Sequence, residues 1–476
     1  MLFNTLDYAK FFAVVFAVSW LLRPEKKVRL AFLLGASYVF YAHYDWRFLP
    51  LLFASSSVDF WLGAAIGKSE EPRRRKRLLA LTLIVNLGVL AIFKYFEFGV
   101  ENVRAALGAL GFHPPSWTIE IALPVGVSFF TFESMSYVID VYRRDISPHD
   151  SYLEYLTFVA FFPHLVAGPI IRPRDLLPQL SRMARFKSDE GSRGLFLIGS
   201  GLLKKIAIGD YLALNLVDRV FDAPSQFSSI ECYAAVVGYA IQIYCDFSGY
   251  TDVAIGSALL LGVRFPKNFD APYKAANIVD FWRRWHISLS TWLRDYLYIP
   301  LGGSRKGPAR TSLNLLATML LGGLWHGASS SFVLWGAMHG VALALTRAYQ
   351  RARPAAESGG ARPSARWQRL ACVALTFHGV CFAWIFFRAE TFDHARAMLH
   401  QLSRLTLHHA NLPAEVLAVL GAGLSSHYVP ERWFEGLQRQ VVRSPLLFQG
   451  MLLFGVAWVI RNMSGAETVP FVYFQF

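Results

Sequence analysis

Apolar runs of about twenty residues recur along this chain, and the segments between them carry most of its arginine and lysine. A bilayer core of about 30 Å takes roughly 20 apolar residues per straight helix, so the pattern predicts an all-α polytopic membrane protein. After a first apolar helix comes RPEKKVR at 23–29; spans follow at about 30–44 and 48–66, and then KSEEPRRRKR at 68–77. Basic segments on both flanks of a helical pair place both on the cytoplasmic side. Further spans are expected at about 78–98, 120–141, 153–171, 193–217 and 230–263, the last long enough for a kinked span or two elements. Helices resume at about 311–327, 331–348, 369–388, 412–425 and 445–461, for a count of about eleven within one membrane domain, 1–476. Lacking a basic start and a cleavage site, the first helix is expected to stay in the membrane with its N-terminus outside.

Composition agrees with that reading and excludes two others. Only 17% of residues are charged and 15% are aromatic, with a mean hydropathy of +0.35, which removes the ordinary soluble enzyme. The net charge of +14 is spread between the apolar runs and not gathered on one face, so nucleic acid is not an expected partner and the lipid bilayer is. Cys232, Cys245, Cys372 and Cys381 form no C-x-x-C pair or zinc spacing and are read as small core residues. Segment 264–310 is a cytoplasmic-side loop, and 349–366, QRARPAAESGGARPSARW, has the composition of a flexible cytoplasmic connector.

Three polar constellations interrupt the apolar sequence. In GGLWHGASSSFVLWGAMHG at 322–340, His326 follows Gly322 and Gly323 and precedes Gly327. An intramembrane imidazole is expensive and suits general acid/base work, although a hydrogen-bonded core histidine satisfies the same sequence. Glycines there permit close backbone approach, and GASSS interrupts the helix. In FWRRWHISLSTWLRDYL at 281–297, a helix at about 100° per residue lines up Phe281, Trp285, Leu289, Trp292 and Tyr296, with His286 on the stripe's border and Arg294 opposite. That pattern predicts an interfacial helix with rings at headgroup depth and guanidinium groups free for phosphates, either a plain anchor or contacts to a coenzyme A thioester. In QIYCDFSGYTD at 242–252, Gln242, Asp246, Ser248 and Asp252 need partners, and Lys204 and Lys205 are candidates. FFPHLVAGPIIRPRD at 161–175 adds His164 in what reads as a broken helix. There is no G-x-S-x-G elbow, H-E-x-x-H or P-loop.

The stretches YCDFSGYTDVAIGSALLLGVRFPKNFDAPY, FWRRWHISLSTWLRDYLYIPLGGSRKG, LLGGLWHGA and PFVYFQF closely resemble the membrane-bound O-acyltransferase family, in particular its bacterial alginate O-acetyltransferase branch. The resemblance runs over about 5–347, 371–390 and the last residues, while 349–366 and 391–445 carry no motif. It implies a funnel-like helical fold with short re-entrant pieces, in the bacterial inner membrane. It also implies His326 as the catalytic histidine, His286 as a second, and a tunnel where a cytoplasmic thioester donor meets an acceptor. Together these readings make Trp285, Arg284, Arg294, Trp325, Asp246 and Ser248 candidate substrate contacts. Acetyl-CoA is the expected donor, with no bound cofactor and no metal. The implied partners are an exported polysaccharide and periplasmic or membrane-anchored acetyltransferases of the SGNH type. Acyl transfer to teichoic acid or peptidoglycan, a transporter and a non-catalytic scaffold remain as alternatives.

Overall fold

The computed structural model describes residues 1–112, 121–166, 168–352, 366–463 and 469–472. Those residues form helices and connections, without a strand, and the chain divides into two compact units. The first comprises Met1–Gly194 with Ala254–Pro266, the second Leu195–Val253 with Lys267–Phe476.

In the first unit, α1 (Leu6–Leu21) starts where the Thr5 side chain accepts the Tyr8 N–H. It is followed by α2 (Lys26–Asp45), α3 (Leu49–Lys68), α4 (Pro72–Leu90), α5 (Phe96–Ala109) and α6 (Val127–Arg143). Then come the short α7 (Tyr152–Ala160), α8 (Phe162–Leu165) and α9 (Pro173–Leu180). α3, α4 and α6 pack on one another and α2 packs on α7. Two polar groups buried there are matched: Arg75 donates to the carbonyls of Ile66 and Tyr142, and Asn86 to both carboxylate oxygens of Asp59. The expected break around His164 is present, with α8 ending at Leu165 and extended backbone from Pro169 to Arg172. His164 itself is buried against Glu133, 2.9 Å away.

α10 (Ser188–Leu202) leads into the second unit, continues as π-helical turns over Leu203–Asp210 and Ala213–Val217, and ends in α11 (Asp218–Asp222). α12 (Ser229–Leu260) is a single helix of 32 residues, so the long apolar stretch forms one element and not two. Next are α13 (Ile278–Arg284), α14 (Ile287–Leu293), α15 (Gly307–His326), α16 (Ser330–Ala352) and α17 (Arg366–Arg388). The chain closes with α18 (Phe392–Ser403), α19 (Ala414–Tyr428), α20 (Glu431–Arg443) and α21 (Leu446–Met463).

Among the described residues, four stretches are long and apolar enough to cross a membrane: Lys26–Lys68, Pro72–Ala109, Arg366–Arg388 and Leu446–Met463. α21 turns Leu446, Leu447, Met451, Phe454 and Trp458 outward, as a lipid-facing helix does. Of the connector 349–366, residues 349–352 complete α16, Arg366 opens α17, and 353–365 lie outside the described residues. Three cysteines are buried, but Cys372 is exposed on α17, so it is not a core residue.

Candidate active site

His326 is the last residue of α15, and the chain leaves the helix at Gly327 before α16 begins at Ser330. This is the interruption that GASSS predicts. α15 and α16 pack along their length because their glycines carry no side chain. A Cβ on Gly323 would sit 2.2 Å from the Phe332 carbonyl oxygen, and one on Gly336 would sit 2.3 Å from that of Met319. The close approach delivers Trp335 of α16 to His326, with ring centroids 5.0 Å apart. Phe387 of α17 lies at 5.2 Å and Trp325 at 5.0 Å, all three edge-on to the imidazole. His326 is only 4% exposed.

His286 enters the same cluster from a different element. The stretch 281–297 is not one helix: Trp285 is extended and His286 is left-handed (φ 40°, ψ 58°), which separates α13 from α14. The cause is capping. The Leu289 N–H donates to His286 Nδ1 (3.2 Å), so the imidazole acts as the N-cap of α14, and the proton of a neutral ring resides on Nε2. Asn268 holds the other side of the break, its Oδ1 accepting from the Ser288 N–H at 3.1 Å and the Ser288 hydroxyl at 2.9 Å. The aromatic stripe is correspondingly displaced from its predicted role. Phe281, Trp285, Leu289 and Trp292 are buried in protein, with Trp285 against Trp384 at 5.2 Å and Phe269 at 5.2 Å, so they face protein and not lipid headgroups. The break turns these rings inward, where a straight amphipathic helix would have presented them to lipid.

His286 is fully buried, with Phe247 of α12 at 4.6 Å and Trp325 at 6.0 Å. The Trp325 ring therefore contacts both imidazoles. Two histidines forty residues apart in sequence meet one indole in a cluster of aromatic rings that excludes water. The membrane-bound O-acyltransferase family profile matches residues 130–383, which contain both. An Azotobacter vinelandii protein named "Probable alginate O-acetylase AlgI" is 43% identical over 399 residues, covering 84% of this chain and 77% of the relative. This chain belongs to the membrane-bound O-acyltransferase family. A Pseudomonas putida protein of the same name is 36% identical over the whole of both chains. A "Peptidoglycan O-acetyltransferase" of Helicobacter pylori is 35% identical over 84% of this chain and 79% of its own.

The O-acyltransferase thus brings together His286, His326 and Trp325, reaches Trp285 through Phe269, and engages the other predicted contacts with partners of their own. Arg284 is spent on carboxylates, its Nε 2.9 Å from Asp280 and its Nη1 3.4 Å from Asp270. Arg294 is exposed and paired with Asp295 at 2.7 Å. Asp246 is buried on α12 in an ion cluster: Lys205 pairs with it and with Asp210 (2.6 Å), and Lys204 pairs with Asp252 at 2.5 Å. The wide π-helical turn of Leu203–Asp210 is what carries both lysines toward α12. Asp246 also accepts the Val472 N–H (2.9 Å), and Phe471 lies 5.5 Å from Phe247, so the chain's last described residues are seated beside the cluster. Ser248 is buried two residues further along the same helix. Sequence reasoning missed Trp335, Phe387, Asn268 and Asp210. Trp335 and Phe387 lie at helical spacing that reads as plain core. Asn268 precedes Asp270 in a stretch with loop composition, where a capping residue was a legible signal.

Proposed function

We propose that this O-acyltransferase moves an acetyl group from a cytoplasmic acyl thioester, acetyl-CoA, to a hydroxyl destined for an exported, alginate-like polysaccharide, as a multi-pass protein of the bacterial inner membrane. The observation that carries the reading is the pair of buried imidazoles flanking Trp325 in a chain of this family. The acceptor hydroxyl attacks the thioester carbonyl; the new C–O bond forms as the C–S bond breaks. His326 takes the hydroxyl proton and returns it to the departing thiolate, which balances the step. His286, with Nδ1 occupied by the Leu289 N–H, presents Nε2–H as a donor to the carbonyl oxygen as it gains charge. The surrounding rings keep water from competing as nucleophile.

The names of the Azotobacter and Pseudomonas relatives favour alginate-type O-acetylation over other acceptors. Handing of the acetyl group to SGNH-type acetyltransferase partners outside the membrane belongs to the same proposal. The test is purified protein with radiolabelled acetyl-CoA and a soluble oligosaccharide acceptor. Label should pass to the acceptor with wild type and not with His326→Ala of unchanged thermal stability. Equal transfer by both would exclude the histidine mechanism, and transfer by neither would favour a transporter or scaffold.

A further inference from the structure

The first unit carries a basic cleft that contains neither histidine. It opens at the surface where α1 gives way to α2. Arg23, Lys26, Arg29 and Arg182 line it, and no carboxylate does. The charge of Lys26 is answered from behind by Glu154, 2.6 Å away, which also holds His149 at 2.8 Å. The three arginines are not answered in the same way.

Arg29 forms the floor at 7% exposure. Its Nε donates to the backbone carbonyl (3.1 Å) and hydroxyl (3.0 Å) of Ser19, its Nη2 donates to the Leu261 carbonyl (2.6 Å), and its guanidinium lies over Trp20. Every one of those partners is neutral. The C-terminal end of α12, where Trp20 Nε1 also donates to the Leu260 carbonyl, offsets part of the charge through its dipole and no more. At the mouth, Arg23 spends its Nε on the Ala184 carbonyl at 3.0 Å. Arg182 makes no side-chain hydrogen bond or ion pair among the described residues. A buried guanidinium held by dipoles alone, with two more converging on the same opening, is an arrangement that an anionic phosphate oxygen group completes. Next to it the surface turns apolar: Met183 lines the cleft and Phe186, edge-on to Trp20, follows it, each 52% exposed.

We infer that this cleft binds an organic phosphate, with Arg29 at the floor and Arg23 and Arg182 closing on the phosphate oxygens. Two sources share that chemistry: the headgroup of an anionic phospholipid, whose acyl chains the apolar rim would accept, and the phosphate of a nucleotide. The inference depends on neither histidine, so it can fail while the acyl-transfer reading holds.

The test uses the full chain, delipidated and held in uncharged nanodiscs, with short-chain phosphatidylglycerol and adenosine 3′,5′-diphosphate as separate probes followed by native mass spectrometry or calorimetry. One probe should bind saturably, and R23Q/R182Q should weaken it at least about tenfold, the scale of losing charged hydrogen bonds. Binding of phosphatidylglycerol undisturbed by the nucleotide identifies a headgroup site, and binding of the nucleotide identifies a nucleotide site. Both substituted residues are at the mouth, so the variant should keep the wild-type melting temperature; R29K, which keeps the charge but loses the fork, should weaken binding as well. Absence of binding by either probe, or binding that R23Q/R182Q leaves unchanged, overturns the inference.

Discussion

At the scale of single residues, His286 does two things that substitution separates. Its Nδ1 caps α14 in a left-handed conformation, and its ring faces Trp325. Asparagine also caps helices and tolerates that conformation. His286→Ala should therefore lose about 1 kcal/mol of stability together with transfer, whereas His286→Asn should recover much of the melting temperature but not the transfer rate. Restored transfer in the asparagine variant would reduce His286 to a cap. Gly323 makes a sharper steric prediction. A methyl group there meets a backbone oxygen that cannot swing aside, so Gly323→Ala should destabilise the α15–α16 pair by roughly 1–3 kcal/mol, measured by thermal unfolding in detergent. The histidines were legible in the sequence because an imidazole in apolar surroundings stands out. Trp325 was legible beside His326 as well, but its contact with His286 was not, because that contact forms only in the folded chain.

At the scale of elements, α12 is tied to the π-helical turn of 203–210 through Lys205, which sits between Asp210 and Asp246 with almost no exposure. Lys205→Met would strand two carboxylates where water cannot reach them. A loss of about 3–5 kcal/mol is expected, with part recovered on adding Asp246→Asn; a neutral effect on the unfolding midpoint would mean that the cluster is open to solvent. A second tie joins α20 to α13, running from Glu431 through Lys267 to Asp270 and Arg284. The hydrogen bond from Lys267 holds the Asp270 carboxyl below its ordinary value, with Arg284 and Lys274 acting in the same direction against burial. A depressed carboxylate stabilises the fold above its unfolded value of 3.8 and loses that contribution as pH falls through the lower folded value. Acid unfolding followed by circular dichroism should begin at that end of the scale, and Asp270→Asn should flatten it. Where periodicity misled was the segment 281–297. A stripe at helical spacing carries no mark of the cap that breaks it, and the break decides whether the rings face lipid or protein. Apolar length, by contrast, located α2, α3, α17 and α21 within a few residues, because the bilayer imposes that length.

At the scale of the whole molecule, an all-helical membrane protein of the O-acyltransferase family carries a buried two-histidine site in one unit and a basic cleft in the other. Long motifs made the family legible from sequence, whereas the basic cleft was not: its arginines come from segments about 160 residues apart and converge only in the folded chain. The spread of positive charge that ruled out a nucleic-acid face is the same spread that supplies them. The central claim is that His326 carries acyl transfer to an exported polymer. The most direct measurement replaces the native gene with the His326→Ala form, confirms by immunoblot that the protein reaches the membrane at the wild-type level, and quantifies ester-linked acetate on the exported polysaccharide. The account predicts a loss of at least about a hundredfold, the scale of removing a general base. Acetylation at the wild-type level would contradict it.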